Sequence, residues 1–220
     1  MKFTVFMYVK YPEANGPKRI INILQSHKID VYCSYDINDL DENQHNILII
    51  PGGTAMKQQT DLGPTGIDRI KQFVSNGGGY VGICAGAYLA ALPPPNKPNK
   101  PGIGLINARY ILPKRIMELK GNMFVNIPNA DDVWMKYHNG PIFENLFEKL
   151  EDKVEIISTV KDTKGIKWRE PLGKPCILKS SYGKGNVVVC GPHPEQTDGL
   201  EDLTYNIIMR SLSCDHCQID

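Results

Sequence analysis

Apolar residues in this chain come in short continuous runs separated by turn residues. Residues 3–9 form such a run, rich in β-branched and aromatic side chains, and it reads as a strand covered on both faces. Asp30–Ser34 predicts a second strand. Residues 46–50 predict a third, stopped by Pro51-Gly52-Gly53. Residues 80–83 predict a fourth, which runs directly into Cys84. Between these runs the period becomes helical. Gly16-Pro17 opens a helix whose Ile20, Ile21, Ile23 and Leu24 share a side. Pro64 fits the first position of another helix, where Pro lacks only an N–H that would be unpaired anyway. Ile67, Ile70, Phe73 and Val74 recur along that helix, and Gly77-Gly78-Gly79 ends it. Residues 154–160, 176–181 and 187–190 read as further strands, with a turn over 183–186, and residues 200–212 as a closing helix. Strands alternating with helices predict an α/β fold, a doubly wound mostly parallel sheet with helices on both faces. Residues 104–133 show no clear period, and the chain has no internal repeat.

Residues 93–101 (Pro-Pro-Pro-Asn-Lys-Pro-Asn-Lys-Pro) suit neither helix nor strand. Nothing after them reads as an independent domain, so they are expected to form a surface loop near the site within a single domain spanning 1–220. A chain of 220 residues that is 41% hydrophobic buries enough surface to need no disulfide or metal for its core. Its net charge of +1 gives no domain-wide basic field, which speaks against nucleic-acid binding. No apolar run is long enough for a membrane helix. The early apolar stretch lacks a small-residue cleavage site, so it reads as a strand rather than a signal peptide. Four of the six cysteines (Cys33, Cys84, Cys176 and Cys190) occupy unlike settings, which points to reduced thiols and a cytoplasmic location.

Gly82-Ile83-Cys84-Ala85-Gly86 has the form of a nucleophile elbow with Cys in place of Ser. A strand turns sharply into a helix and exposes the nucleophile on the strained turn. The flanking glycines remove Cβ atoms that would strike the neighbouring strand and helix. The start of the helix favours the thiolate, and the Ala85 N–H faces the place where an oxyanion would form. The bland alternative is a buried structural Cys at a tight turn. His193-Pro194-Glu195 follows the strand over 187–190, at the carboxyl end where open α/β sheets place their sites. In His-x-Glu the carboxylate orients an imidazole able to take a proton from a thiol. The glycines after the third strand present backbone N–H groups, and Gly53 is the second candidate oxyanion donor. A simple tight turn would explain them equally well.

These three segments in this order resemble a class I glutamine amidotransferase-like domain, with its flavodoxin-like sheet. Within that superfamily, Gly82 to Tyr88 and Tyr137-His138-Asn139-Gly140-Pro141 resemble the N-terminal domain of eukaryotic biotin-protein ligases, which also occurs as a stand-alone protein. The resemblance implies Cys84 as nucleophile, His193 as base, Glu195 as its orienter, and Gly53 and Ala85 as oxyanion donors. It also suggests Gly52, Tyr88, His138 and Asn139 as pocket residues. It implies neither biotin ligation nor a cofactor. Tyr88 stands where true glutaminases carry Gln, and their Tyr-Ser-Leu segment has no counterpart, which argues against free glutamine as substrate. The expected partner is a small-molecule or peptide amide, with no nucleic acid, membrane or metal. A protein partner or homodimer stays open.

The competing reading is a ligand- or partner-binding module that keeps the fold without using the triad. A nucleotide-binding protein is a poorer fit, because Gly77-Gly78-Gly79 precedes a strand instead of opening a helix. Cys214-Asp215-His216-Cys217 could suggest half a metal site or a redox pair, but a solvent-exposed tail is the expectation. Lys97 and Lys100 could attract an acidic substrate, although solvated loop charges are the expected role.

Overall fold

Val5 and Met7 face one side of strand β1 (Thr4–Tyr8), and Phe6 and Tyr8 face the other. All four are buried, so the strand lies inside a sheet covered on both faces. This computed structural model describes residues 3–112, 119–127, 131–144, 154–164, 166, 168 and 170–212. After β1 come α1 (Asn15–Ser26), β2 (Asp30–Ser34), β3 (Ile47–Ile50), α2 (Ala55–Ser75), β4 (Gly79–Ile83) and α3 (Ala85–Ala90). A second series follows: β5 (Tyr110–Ile111), β6 (Lys120–Asn126), β7 (Val133–His138), β8 (Ile142–Phe143), β9 (Glu155–Asp162), β10 (Pro175–Tyr182), β11 (Gly185–Cys190) and α4 (Glu201–Met209).

Nine strands form one sheet in the order β2-β1-β3-β4-β11-β10-β9-β6-β7. The β2-β1-β3-β4-β11 half is parallel, as its continuous apolar runs predict. The β10-β9-β6-β7 half is antiparallel, so the sheet as a whole is mixed. β5 and β8 pair separately. On one face, Ile20 and Leu24 of α1 and Ile207 and Ile208 of α4 pack with Val5, Met7 and Ile83. On the other, Leu62, Ile70 and Phe73 of α2 and Ala87 and Leu89 of α3 pack with Phe6, Leu48 and Tyr80. The helices therefore cover both faces.

Helix α2 begins at Ala55, well before the expected start at Pro64. The chain leaves helical geometry at Gly63 (φ 59°, ψ −177°), and Pro64 opens the second segment in the position its chemistry favours. The unexpected first segment contributes Leu62 to the core. Strand β6, inside the stretch without a clear period, forms a ladder of alternating exposure with β7, which begins at the end of that stretch. Although β7 lies at the far edge of the sheet, Lys136 bridges to His193 beyond the end of β11. The antiparallel half thus curls back over the carboxyl ends of the parallel strands and walls a cleft there. Among the described residues, no helix is long and apolar enough to cross a membrane.

Candidate active site

Cys84 occupies the turn between β4 and α3 with φ 52° and ψ −99°, a conformation that L-residues rarely adopt. Its backbone N–H donates to the Cys190 carbonyl at 2.8 Å, which continues the β4–β11 ladder and pins the turn. A Cβ on Gly82 would lie 2.4 Å from the Gly86 carbonyl oxygen. One on Gly86 would lie 2.0 Å from that of Ile50. Only glycine at both places lets the elbow close against its helix and against β3.

His193 follows β11 and is held through its backbone. Its N–H donates to the Lys136 carbonyl at 2.7 Å, and its carbonyl accepts from the Thr197 hydroxyl at 2.9 Å. The same hydroxyl oxygen accepts from Lys136 N–H at 2.9 Å, so β7 and the His193 loop are locked together. The His193 Nδ1 lies 2.8 Å from Glu195 Oε1 and 3.1 Å from Gln196 Nε2, and the ring and Cys84 both border the position a Cβ on Gly52 would take. A ring held this way donates Nδ1–H to the carboxylate. Burial alone would lower the His193 pKa. The hydrogen bonds and charges of Cys84 and Glu195 outweigh it and raise the value from 6.5 to about 10. His193 is 5% exposed and Glu195 2%.

Glu195 is fixed from several directions. Arg19 of α1 donates from Nε to the Glu195 carbonyl at 2.6 Å and pairs with Asp198 at 2.7 Å. Gln196 Nε2 lies 3.2 Å from Glu195 Oε1. A Cβ on Gly16 would fall 3.3 Å from that oxygen and 3.1 Å from Gln196 Nε2, so this glycine makes room for the carboxylate. The Gly16-Pro17 pair, read from the sequence only as a helix opening, was the sole signal for this support. Arg19, Gln196 and Thr197 carried none.

Gly52, Gly53, Ala85, Tyr88, His138 and Asn139 all line the same cleft of about 880 Å³ as Cys84, His193 and Glu195. Their contributions differ. Gly52 approaches so closely that a Cβ there would sit 3.2 Å from His193 Cε1 and 3.8 Å from Cys84 Cβ. Gln58 Nε2 donates to the Pro51 carbonyl at 3.2 Å and braces the glycine turn. His138 reaches the thiol through its backbone, its carbonyl accepting from Cys84 Sγ at 3.4 Å. Asn139, at φ 53°, accepts from Leu119 N–H through Oδ1 at 2.6 Å and holds the end of the β6–β7 ladder. Tyr88 packs edge-on against Tyr110 with centroids 4.6 Å apart, and burial pushes its phenol pKa strongly up. Gly140 and Gly191 interlock, since a Cβ on Gly140 would lie 1.9 Å from the Gly191 carbonyl oxygen.

Lys100 and Pro101, at the end of the Pro-rich loop, reach the rim of the cleft, whereas Lys97 does not line it. Cys33, Cys84, Cys176 and Cys190 are free thiols. Burial raises the pKa of Cys176 to about 12 and also raises that of Cys33. The Cys214–Cys217 segment lies outside the described residues.

With an elbow cysteine and a histidine at the ends of adjacent parallel strands, the arrangement can be set beside known proteins. Residues 36–93 match the family described as biotin-protein ligase, N terminal. A solved glutamine amidotransferase aligns with a TM-score of 0.68 at 19% identity, over 93% of this chain and 98% of that one. The fold is that of glutamine amidotransferase-like proteins. Over residues 36–93 the chain is similar to the N-terminal biotin-protein ligase family, as its sequence led one to expect. That match includes the glycine turn and the elbow and ends before His193 and Glu195. A ThuA-like protein of Bacteroides uniformis aligns with a TM-score of 0.61 at 14% identity, over 95% of this chain and 90% of that one. An uncharacterized protein of Chlamydia muridarum is 45% identical over 48 residues, a match spanning 22% of this chain and 18% of its relative.

Proposed function

We propose that the protein is a cysteine-dependent C–N hydrolase or amidotransferase-like enzyme that cleaves an amide or related acyl bond. The observation that carries this reading is the buried imidazole of His193, hydrogen-bonded through Nδ1 to Glu195 and lining one cleft with Cys84. Cys84 attacks as thiolate, forming an S–C bond at the acyl carbon. The oxyanion is held by the N–H groups of Ala85 and Gly53, residues that line the same cleft as Cys84. His193, as imidazolium, protonates the leaving amine as the C–N bond breaks, and a thioester remains. The neutral imidazole then takes a proton from water, which attacks the thioester and releases the acid and the thiol. Glu195 keeps the ring in the tautomer this sequence requires. Tyr88 stands where glutaminases carry Gln, which argues against free glutamine as the substrate. Free thiols at four described cysteines fit a reducing cytoplasmic setting.

The test compares iodoacetamide alkylation of Cys84 with that of Cys33 in the same protein near neutral pH. Cys84 is expected to react at least about tenfold faster, and the advantage should vanish in His193→Ala. Equal reactivity, indifferent to His193, would contradict the reading.

A further inference from the structure

Two of the strands that wall the cleft bring to it a row of hydrogen-bond donors. In the β6–β7 ladder, Lys120 stands opposite His138 and Asn122 opposite Lys136. All four belong to the exposed face of the ladder and line the cleft. Lys120 and Lys136 are diagonal neighbours, roughly 7–8 Å apart at the backbone. Lys120 lies about one strand spacing, near 4.8 Å, from residue 138, whose carbonyl touches Cys84 Sγ. Lys100 adds a third cation to the lining of the cleft. The only carboxylate among the described residues of the cleft is Glu195, buried and committed to His193. Asp198 lies near Lys136 but is paired with Arg19. For a chain whose net charge is +1, this is a local excess of positive charge focused on one nucleophile.

We infer that the β6–β7 ladder is an anion subsite, and that the substrate cleaved at Cys84 carries a carboxylate or phosphate group bound by Lys120 and Lys136. Asn122 supplies a neutral donor to the same group. The inference rests on the hydrolase reading and narrows its substrate class.

Iodoacetate and iodoacetamide deliver the same alkyl carbon to the same sulfur, forming the S–C bond and releasing iodide. They differ in the negative charge, so their rate ratio at Cys84, normalised to a small free thiol, reads the field of the cleft. His193 alone gives iodoacetate some advantage, so the comparison is between variants. Lys120→Gln combined with Lys136→Gln is expected to lower the normalised ratio about five- to tenfold. Lys120→Arg with Lys136→Arg should retain it, and added salt should erode it in the native protein. Lys184→Gln, in the turn at the opposite end of β11, should leave it unchanged. Adding a dicarboxylate or inorganic phosphate should protect Cys84 in the native protein and not in the double Gln variant, and the stronger protector identifies the anion. If Cys84 reacts rapidly and depends on His193, yet the ratio is the same in the double Gln variant, the anion subsite is overturned while the hydrolase reading stands. If Cys84 shows no reactivity beyond Cys33, both are overturned.

Discussion

At Cys84 a strained backbone and a packed turn meet in one residue. A φ of 52° with ψ −99° costs on the order of 1–3 kcal/mol for a residue with a Cβ. Cys84→Gly should therefore be more stable than Cys84→Ala by about 1 kcal/mol, measured by urea unfolding. Equal stability would show that the turn stores no strain. Gly86→Ala should destabilise by about 2 kcal/mol or more, because its Cβ has no room against the Ile50 carbonyl. These glycines were legible in the sequence because elbow geometry constrains a few adjacent positions. The His193-Pro194-Glu195 pair was legible for the same reason: the orienting group lies two residues from the ring it holds. Arg19 and Gln196 were not, since nothing local requires a carboxylate's support to come from a helix far away in the chain. The roles of His138 and Asn139 were also beyond reach, because the contacts they make with the site and with Leu119 involve backbone atoms.

Among the elements, the parallel half of the sheet and strands β9 and β10 were readable, whereas β6 and β7 were not. Strands buried on both faces, such as β1 and β3, are apolar throughout and announce themselves. In β6 and β7, only alternate residues are buried, and Lys120, Asn122 and Lys136 interrupt any apolar run. The early start of α2 escaped for a different reason. Gly63 breaks the helix, so its first segment has no continuous period with the second. Gly63 adopts a conformation essentially reserved to glycine, with nothing within 4 Å of where a Cβ would be. Gly63→Ala should therefore cost about 1–3 kcal/mol from backbone strain alone, detectable as a lower urea midpoint with an unchanged m-value. A neutral result would mean that the helix straightens through residue 63. Arg19 of α1 is a positioning residue for Glu195. Arg19→Ala should slow Cys84 alkylation, and Arg19→Lys should restore only part of the rate, because one ammonium cannot reproduce the planar contacts to the Glu195 carbonyl and Asp198.

For the molecule as a whole, the curl of the antiparallel half brings β7 to the His193 loop, at the same carboxyl ends of β4 and β11 that hold the elbow. Folding and the state of the site are consequently linked. The folded His193 holds its proton up to about pH 10, against 6.5 when the imidazole is unconstrained. Its contribution to stability is thus fully present below about pH 6.5 and is lost as pH rises toward 10. The stability difference between the native protein and His193→Gln should shrink across that window, and a constant difference would argue against the raised value. The most direct test of the proposed triad is an NMR titration of the His193 ring in the native protein, Cys84→Ala and Glu195→Gln. The account predicts a native imidazolium that persists to about pH 10, with a lower titration point when either neighbour is removed. A ring that titrates near 6.5 in all three proteins would contradict it, because the cysteine and the carboxylate would then not act on the histidine at all.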